Sequence, residues 1–212
     1  MFLHILDEQR IDVLKKITQV QPKTFYLAGG TALALRLGHR DSIDFDWFSP
    51  DSFDLNELAE SLAQIGHFVA SYKQKNTLHG FLDEVQLTYL YYPIKTLDSF
   101  EQADGYKLAG LTDIALMKLI AISQRGAKKD FIDLFALMST GKFTWKYLFN
   151  SLYLKFQDRP PNPYHLARSL VFFDDAELEP TPMMYVEWNW EDVKKYLLDE
   201  QQIFTELLFE ME

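Results

Sequence analysis

The sequence contains no cysteine. This excludes a disulfide framework, iron–sulfur clusters, thiolate zinc sites and any cysteine nucleophile. No apolar run approaches the ~20 residues of a membrane-spanning helix, and Met1-Phe2-Leu3-His4 is not the basic stretch that opens a secretory leader. The expectation is therefore a cytoplasmic protein without a membrane anchor. Positive charge is in deficit: 21 Lys+Arg against 31 Asp+Glu leave a net charge of −10. That argues against broad nonspecific nucleic-acid binding, though a local basic patch stays compatible with it. Internal repeats and low-complexity tracts are also missing. What remains is a globular composition, 48% hydrophobic and 25% charged over 212 residues, long enough for one domain or a core with an appended lobe. Aromatics at 15% imply a bulky core.

The layout changes character half-way. Residues 7–20 carry Ile11, Leu14 and Ile17 at helical spacing. Residues 24–28 read as a short buried strand ended by Gly29-Gly30, and residues 31–37 as a helix stopped at Gly38. Residues 43–48 alternate as a strand, with Ile43, Phe45 and Trp47 on one side and Asp44 and Asp46 on the other. A helix over 54–65 precedes three strands (67–73, 78–82 and 85–92) joined by turns at Lys75-Asn76 and Asp83-Glu84. From Thr112, a cap for residues 113–125, the pattern is helical: 129–138, 145–156, 164–173 and 190–209, with a loose acidic link over 174–182. The expected fold class is α+β, with an α/β core over residues 1–108 and a helical domain over 109–212.

Chemistry concentrates in the first half. In Ile43-Asp44-Phe45-Asp46-Trp47 the period-2 strand turns both carboxylates to one face, their β-carbons ~6–7 Å apart. Such a pair repels itself unless a divalent cation intervenes, and Mg²⁺ takes one or two carboxylates plus substrate phosphates. An amphipathic strand showing its polar face to water has the same pattern. Upstream, Gly29-Gly30-Thr31 joins strand to helix. Two glycines admit a close ligand, and the helix start presents free N–H groups to phosphate, although a tight turn alone would explain them. Arg40 suits a triphosphate or a pairing with Asp41. Ser42 suits a phosphate oxygen or a turn, and His39 reads as structural. Strand, Gly-Gly-Thr, helix, His-Arg-x-Ser and D-x-D in that order are more specific than any part.

A second constellation lies in the helices: Asp113, Lys118, Arg125, Lys128, Lys129, Asp130 and Asp133. Lys118 is the single charge in an apolar helix, where a lysine either snorkels to solvent or meets an anion. Asp130 and Asp133 share a helical face, open to salt-bridge roles as well.

Residues 27–48 (LAGGTALALRLGHRDSIDFDWF) resemble the first motif of the AbiEii/AbiGii nucleotidyltransferase toxins, within the DNA polymerase β-like superfamily. Residues 113–134, with DIALMK and RGAKKDFIDL, resemble that family's later motifs. The resemblance implies a nucleotidyltransferase-fold mixed β-sheet core with flanking helices, then an all-helical C-terminal lobe. It implies Mg²⁺ (or Mn²⁺), a nucleoside triphosphate, an RNA or tRNA acceptor, and a cognate antitoxin in a phage abortive-infection system. By residue, Gly29, Gly30 and Thr31 match the phosphate-side turn, joined by Arg40 and Ser42. Asp44 and Asp46 match the metal-binding, catalytic pair, Lys118 the lysine expected near the triphosphate, and Asp130 the later acidic residue, with Asp133 its rival. One departure stands out. Superfamily members place a third carboxylate on a later strand, where this sequence has Thr88, with Asp83 or Glu84 at the strand entrance as substitutes. The rival functions are a small-molecule nucleotidyltransferase of the antibiotic-modifying type and a nucleotide-binding partner module without turnover.

Overall fold

The computed structural model describes residues 1–210, with side chains described through Leu207. It divides into two compact units, residues 1–110 and residues from Leu111 onward.

After a short 3₁₀ turn at Leu3–Ile5, the first unit runs α1 (Glu8–Val20), β1 (Tyr26–Ala28), α2 (Gly29–Leu37), β2 (Asp44–Ser49), α3 (Leu55–Ile65), β3 (Phe68–Gln74), β4 (Thr77–Leu82), β5 (Val85–Tyr91), β6 (Glu101–Ala103) and β7 (Tyr106–Leu108). The strands form one mixed sheet in the order β3-β4-β5-β2-β1-β7-β6. β2 runs parallel to β5 and antiparallel to β1, while β1 runs parallel to β7. Asp7 caps α1 by accepting from the Arg10 N–H, and Asp54 caps α3 by accepting from Asn56 and Glu57, each satisfying otherwise orphaned donors.

The turn between β4 and β5 holds Asp83 and Glu84 at φ of 47° and 68°. Positive φ at both central residues suits a two-residue hairpin, because its twist matches that of the strands. One face of the sheet is apolar: Phe45, Trp47, Leu27, Leu87, Tyr89 and Leu78 are all buried. Trp47 stacks on Tyr89 at 6.4 Å between centroids and meets Tyr106 edge-on. The aromatic excess thus builds the core beneath β2 and β5.

The second unit comprises α4 (Leu111–Arg125), α5 (Lys128–Ser139), α6 (Trp145–Lys155), α7 (Pro163–Ser169), α8 (Asp174–Glu177), α9 (Trp190–Asp199) and α10 (Gln201–Glu210). α4 packs on α5, α6 and α7, and α9 on α5. Aromatic contacts such as Phe131–Trp190 and Trp145–Phe204 fill the spaces between helices.

The α+β class, the order of the elements through β5 and the helical second half agree with the sequence. Five details differ. Ile43 precedes β2 and is 60% exposed, so the strand's apolar face begins at Phe45. Thr112 lies inside α4, its hydroxyl 3.2 Å from the Tyr147 hydroxyl, and is not the helix cap. The link over 174–182 begins with helix α8, and the last long helix breaks at Glu200 into α9 and α10. The β6–β7 hairpin has no counterpart in the sequence pattern. Three-residue strands leave no periodicity to read, although Asp104-Gly105, with Gly105 at φ 84°, carries a turn signal.

Candidate nucleotide and metal site

β2 carries Asp44 and Asp46 at alternate positions, both half-buried, while Phe45 and Trp47 between and beside them are sealed into the core. The two carboxylates therefore leave the same face of the sheet. Asp46 is flanked in register by Ala28 of β1 and Thr88 of β5. The residue after Ala28 is Gly29, the first of α2, at φ +67°. A β-carbon there would stand 2.8 Å from Asp46 Oδ2, so only glycine lets the chain turn this tightly against the carboxylate. Ala28 offers no side chain to cap α2, and the helix start therefore brings its own N–H groups and positive dipole end to the carboxylate pair.

The next residues complete a small polar enclosure. A β-carbon at Gly30 would lie 2.5 Å from an Arg40 guanidinium nitrogen and 3.6 Å from Ser42 Oγ. Arg40 is 4% exposed and donates through Nη1 to the Asp41 carbonyl at 2.6 Å. The Thr31 and Ser42 hydroxyls are 2.6 Å apart, and Thr31 also donates to the Asp44 carbonyl. Gly29, Gly30, Thr31, Arg40, Ser42, Asp44 and Asp46 are thus brought together by three local devices: the β1–α2 turn, the approach to β2, and β2 itself. His39 is 2% exposed.

Thr88 sits directly beside Asp46 in the parallel β2–β5 pair, and its hydroxyl is 3.0 Å from His79 Nδ1. Asp83 is engaged elsewhere: Oδ2 pairs with Lys16 at 2.9 Å and Oδ1 accepts the His67 N–H at 2.8 Å. The Lys16 hydrogen bond, aided by that N–H, holds its carboxyl below the ordinary 3.8. No group of three or more metal-ligating side chains converges among the described residues.

Lys118 and Asp130 belong to the second unit and meet each other there. Lys118 Nζ lies 2.8 Å from Asp130 and 2.6 Å from Asp133, with all three side chains buried. Arg125 adds Nε to Asp130 at 2.7 Å. Burial alone would push the Asp130 carboxyl up, but the Lys118 and Arg125 charges outweigh it and hold it below 3.8. Of the two outcomes open to a lysine on an apolar helix, Lys118 meets anions, and it meets both aspartates. Lys155 and Asp113 form a second buried pair at 2.6 Å. The sequence reading missed this pair, because nothing local links positions 42 residues apart.

The sequence profile described as "Nucleotidyl transferase AbiEii toxin, Type IV TA system" matches residues 12–108, the span of β1, α2 and β2 through β7. An uncharacterised protein of Aquifex aeolicus (strain VF5) is 37% identical over 198 residues, covering 89% of this chain and 92% of its own. The chain belongs to the AbiEii family. This AbiEii protein is accordingly a nucleotidyltransferase of a toxin–antitoxin family. Two solved structures share its fold. JHP933 from Helicobacter pylori aligns over 96% of this chain and 92% of its own at 17% identity, with a TM-score of 0.57. A second H. pylori protein, a candidate nucleotidyltransferase by description, aligns over 98% and 99% at 18% identity, with a TM-score of 0.59. No helix among the described residues of the AbiEii protein is long and apolar enough to cross a membrane.

Proposed function

We propose that this AbiEii protein transfers a nucleotidyl group from a nucleoside triphosphate to a hydroxyl of a cytoplasmic RNA, with tRNA as the expected acceptor. The observation that carries this reading is the contact of Gly29 with Asp46 Oδ2, beside Arg40 and Ser42. It sets the start of a helix beside a pair of hard oxygen ligands. The donor set fits Mg²⁺ or Mn²⁺, which Asp44 and Asp46 would hold. When bound, the ion supplies Lewis-acid stabilisation of charge on the transferred group.

The chain's own residues have separable tasks in this reading. The α2 N–H groups and the Gly29-Gly30 backbone bind the phosphates, and Arg40 offsets their charge from its buried position. Thr31 and Ser42 hold the approach to β2 against the start of α2. Lys118 and Asp130 contribute by fixing α4 on α5, since contact with a triphosphate would draw Lys118 Nζ away from two buried carboxylates. The type IV toxin–antitoxin description supports an antitoxin as protein partner. Thr88 beside Asp46 favours a second reading, nucleotide binding without turnover.

Incubation with each α-labelled NTP, Mg²⁺ and total cellular RNA tests the proposal. Label should enter RNA with wild type and not with Asp46→Asn. Binding of NTP without incorporation would favour the second reading, and label in a small acceptor would favour an antibiotic-modifying type.

A further inference from the structure

The sheet registers line up two rows of side chains that run outward from the carboxylate pair. Asp44 on β2 stands beside Gln86 on β5, Gln86 beside Phe81 on β4, and Phe81 beside Val69 on β3. Asp46 leads in the same way through Thr88 and His79 to Tyr72. Neighbours in register share a face of the sheet, and alternate residues along a strand return to it. The opposite face is the core: Leu78, Leu82 and Leu87 are buried there, with α3 packed on β3 and β4 and α1 on β5.

The carboxylate face is open where the core face is sealed. Phe81 is 41% exposed, Tyr72 44% and Val69 48%, and Gln86, between Phe81 and Asp44, is exposed as well. Apolar residues scattered singly over a surface need no explanation, but these three adjoin across one hairpin. The Tyr72 ring is also held in place. It lies 5.5 Å from the His79 ring, and its hydroxyl donates to Gln74 Oε1 at 2.8 Å.

We propose that this face of β3, β4 and β5 is a stacking platform for unpaired bases of the acceptor RNA. This rests on the nucleotidyl-transfer reading above and deepens it by naming what holds the acceptor strand. The first support is continuity. Phe81 shares a face with Asp44 and stands two strand spacings from it, ~10 Å between backbones, so a single strand whose end reaches the carboxylate pair can lie across the ring. The second is chemistry. Every base has a π-face, and exposed rings beside hydrogen-bonding groups such as Gln86 and Gln74 are what unpaired bases engage. The third is charge. None of the side chains that β3, β4 and β5 contribute to the two rows is a lysine, an arginine or a carboxylate, and the chain carries a net charge of −10. Affinity then comes from bases more than from neutralised phosphates, which selects single strands over duplex, whose bases are already stacked. A second copy of the chain adding to edge strand β3 fits less well, because the bulge between Ala70 and Tyr72 and the nearby Lys73 and Lys75 blunt that edge.

The test uses the full chain and labelled single-stranded RNA homopolymers of about 12 nucleotides, within the span that stacking sites occupy. Binding is read by fluorescence anisotropy without NTP, and α-labelled NTP transfer to total cellular RNA is read against RNA concentration. Phe81→Ala and Tyr72→Ala should each weaken oligonucleotide binding by about 5–150-fold, the equivalent of ~1–3 kcal/mol per stacked base. The KM for RNA should rise by a similar factor, with kcat and the NTP·Mg²⁺ melting shift unchanged. Phe81→Leu keeps the apolar bulk without the π-face and should bind as poorly as Phe81→Ala, whereas Phe81→Trp should bind at least as well as wild type. Wild-type binding in Phe81→Leu, or in both alanine variants, would overturn the platform. So would equal affinity for duplex RNA, failure of wild type to bind any homopolymer, or a wild-type dimer that Val69→Lys takes apart in sedimentation. Incorporation by wild type with an RNA KM unchanged in both alanine variants would remove the platform and leave transfer standing. Oligonucleotide binding that the alanine variants lose, without incorporation by wild type, would instead sink the transfer reading and leave an RNA-binding face.

Discussion

Gly29 stands directly against the Asp46 carboxylate: a β-carbon built on it would lie 2.8 Å from Oδ2, at a backbone φ of +67°. Gly29→Ala should therefore do two things. The left-handed conformation costs an L-residue about 1–2 kcal/mol, and the methyl displaces a carboxylate assigned to the cation. We expect a modestly lower melting temperature together with loss of the NTP·Mg²⁺ shift. At Gly30, where φ is not positive, the added methyl meets the guanidinium of the buried Arg40. Gly30→Ala should lower stability by displacing that group rather than by backbone strain, and weaken nucleotide binding. Paired thermal melts, with and without NTP·Mg²⁺, distinguish the two.

Much of this first site is legible in the sequence, because its parts are local. The alternation of Asp44-Phe45-Asp46-Trp47 fixes which side chains share a face, and Gly29-Gly30-Thr31 fixes a turn into a helix. The row from Asp46 to Tyr72 is not legible in that way. It depends on the β2–β5 and β4–β5 registers, which join residues far apart in the chain, and on a bulge between Ala70 and Tyr72 that brings the Tyr72 ring opposite His79. The placement of β7 beside β1 is likewise a long-range pairing, Leu27 with Leu108, that no local pattern encodes. Lys118 shows a further limit. Its apolar helix marked it as unusual, but only the packing of α5 on α4 reveals that Asp130 and Asp133 are its anions.

Lys118→Met should destabilise the protein, because it strands buried carboxylates. Removing one partner from a buried pair typically costs about 3–5 kcal/mol, which corresponds to a drop on the order of 10 °C in a protein of this size. Adding Asp133→Asn should recover part of the loss, since Asp130 keeps Arg125. Thermal denaturation of the single and double variants checks this. A single variant as stable as wild type would mean that the cluster contributes nothing to holding α4 on α5.

Acid stability should report the same cluster. The folded-state carboxyl of Asp130 is held below 3.8 despite its burial, through Lys118 and Arg125. A depressed carboxyl adds stability that is present above the unfolded value and lost as pH falls through the folded one. Its contribution should be full at about pH 5 and fall away progressively as pH drops below about 4 toward the lower folded value. Arg125→Ala removes one of the charges that depress it, so the acid limb should move to higher pH. Urea midpoints measured from pH 3 to 6 give the comparison, and an unmoved limb would remove Arg125 from the account.

The central claim is that Asp44 and Asp46 form a cation site that completes the nucleotide pocket at the start of α2. The most direct measurement is the melting temperature of wild type and of the Asp44→Asn/Asp46→Asn variant across the NTPs, in Mg²⁺ or in EDTA. A ligand at a hundredfold excess over Kd stabilises the native state by about 2.7 kcal/mol, a rise of roughly 5–10 °C here. The account predicts that rise in wild type with NTP and Mg²⁺, its loss in EDTA, and its absence in the double variant, whose ligand-free form should be at least as stable as wild type because a repulsion has been removed. An equal, Mg²⁺-dependent rise in the double variant, or none in wild type, would contradict it.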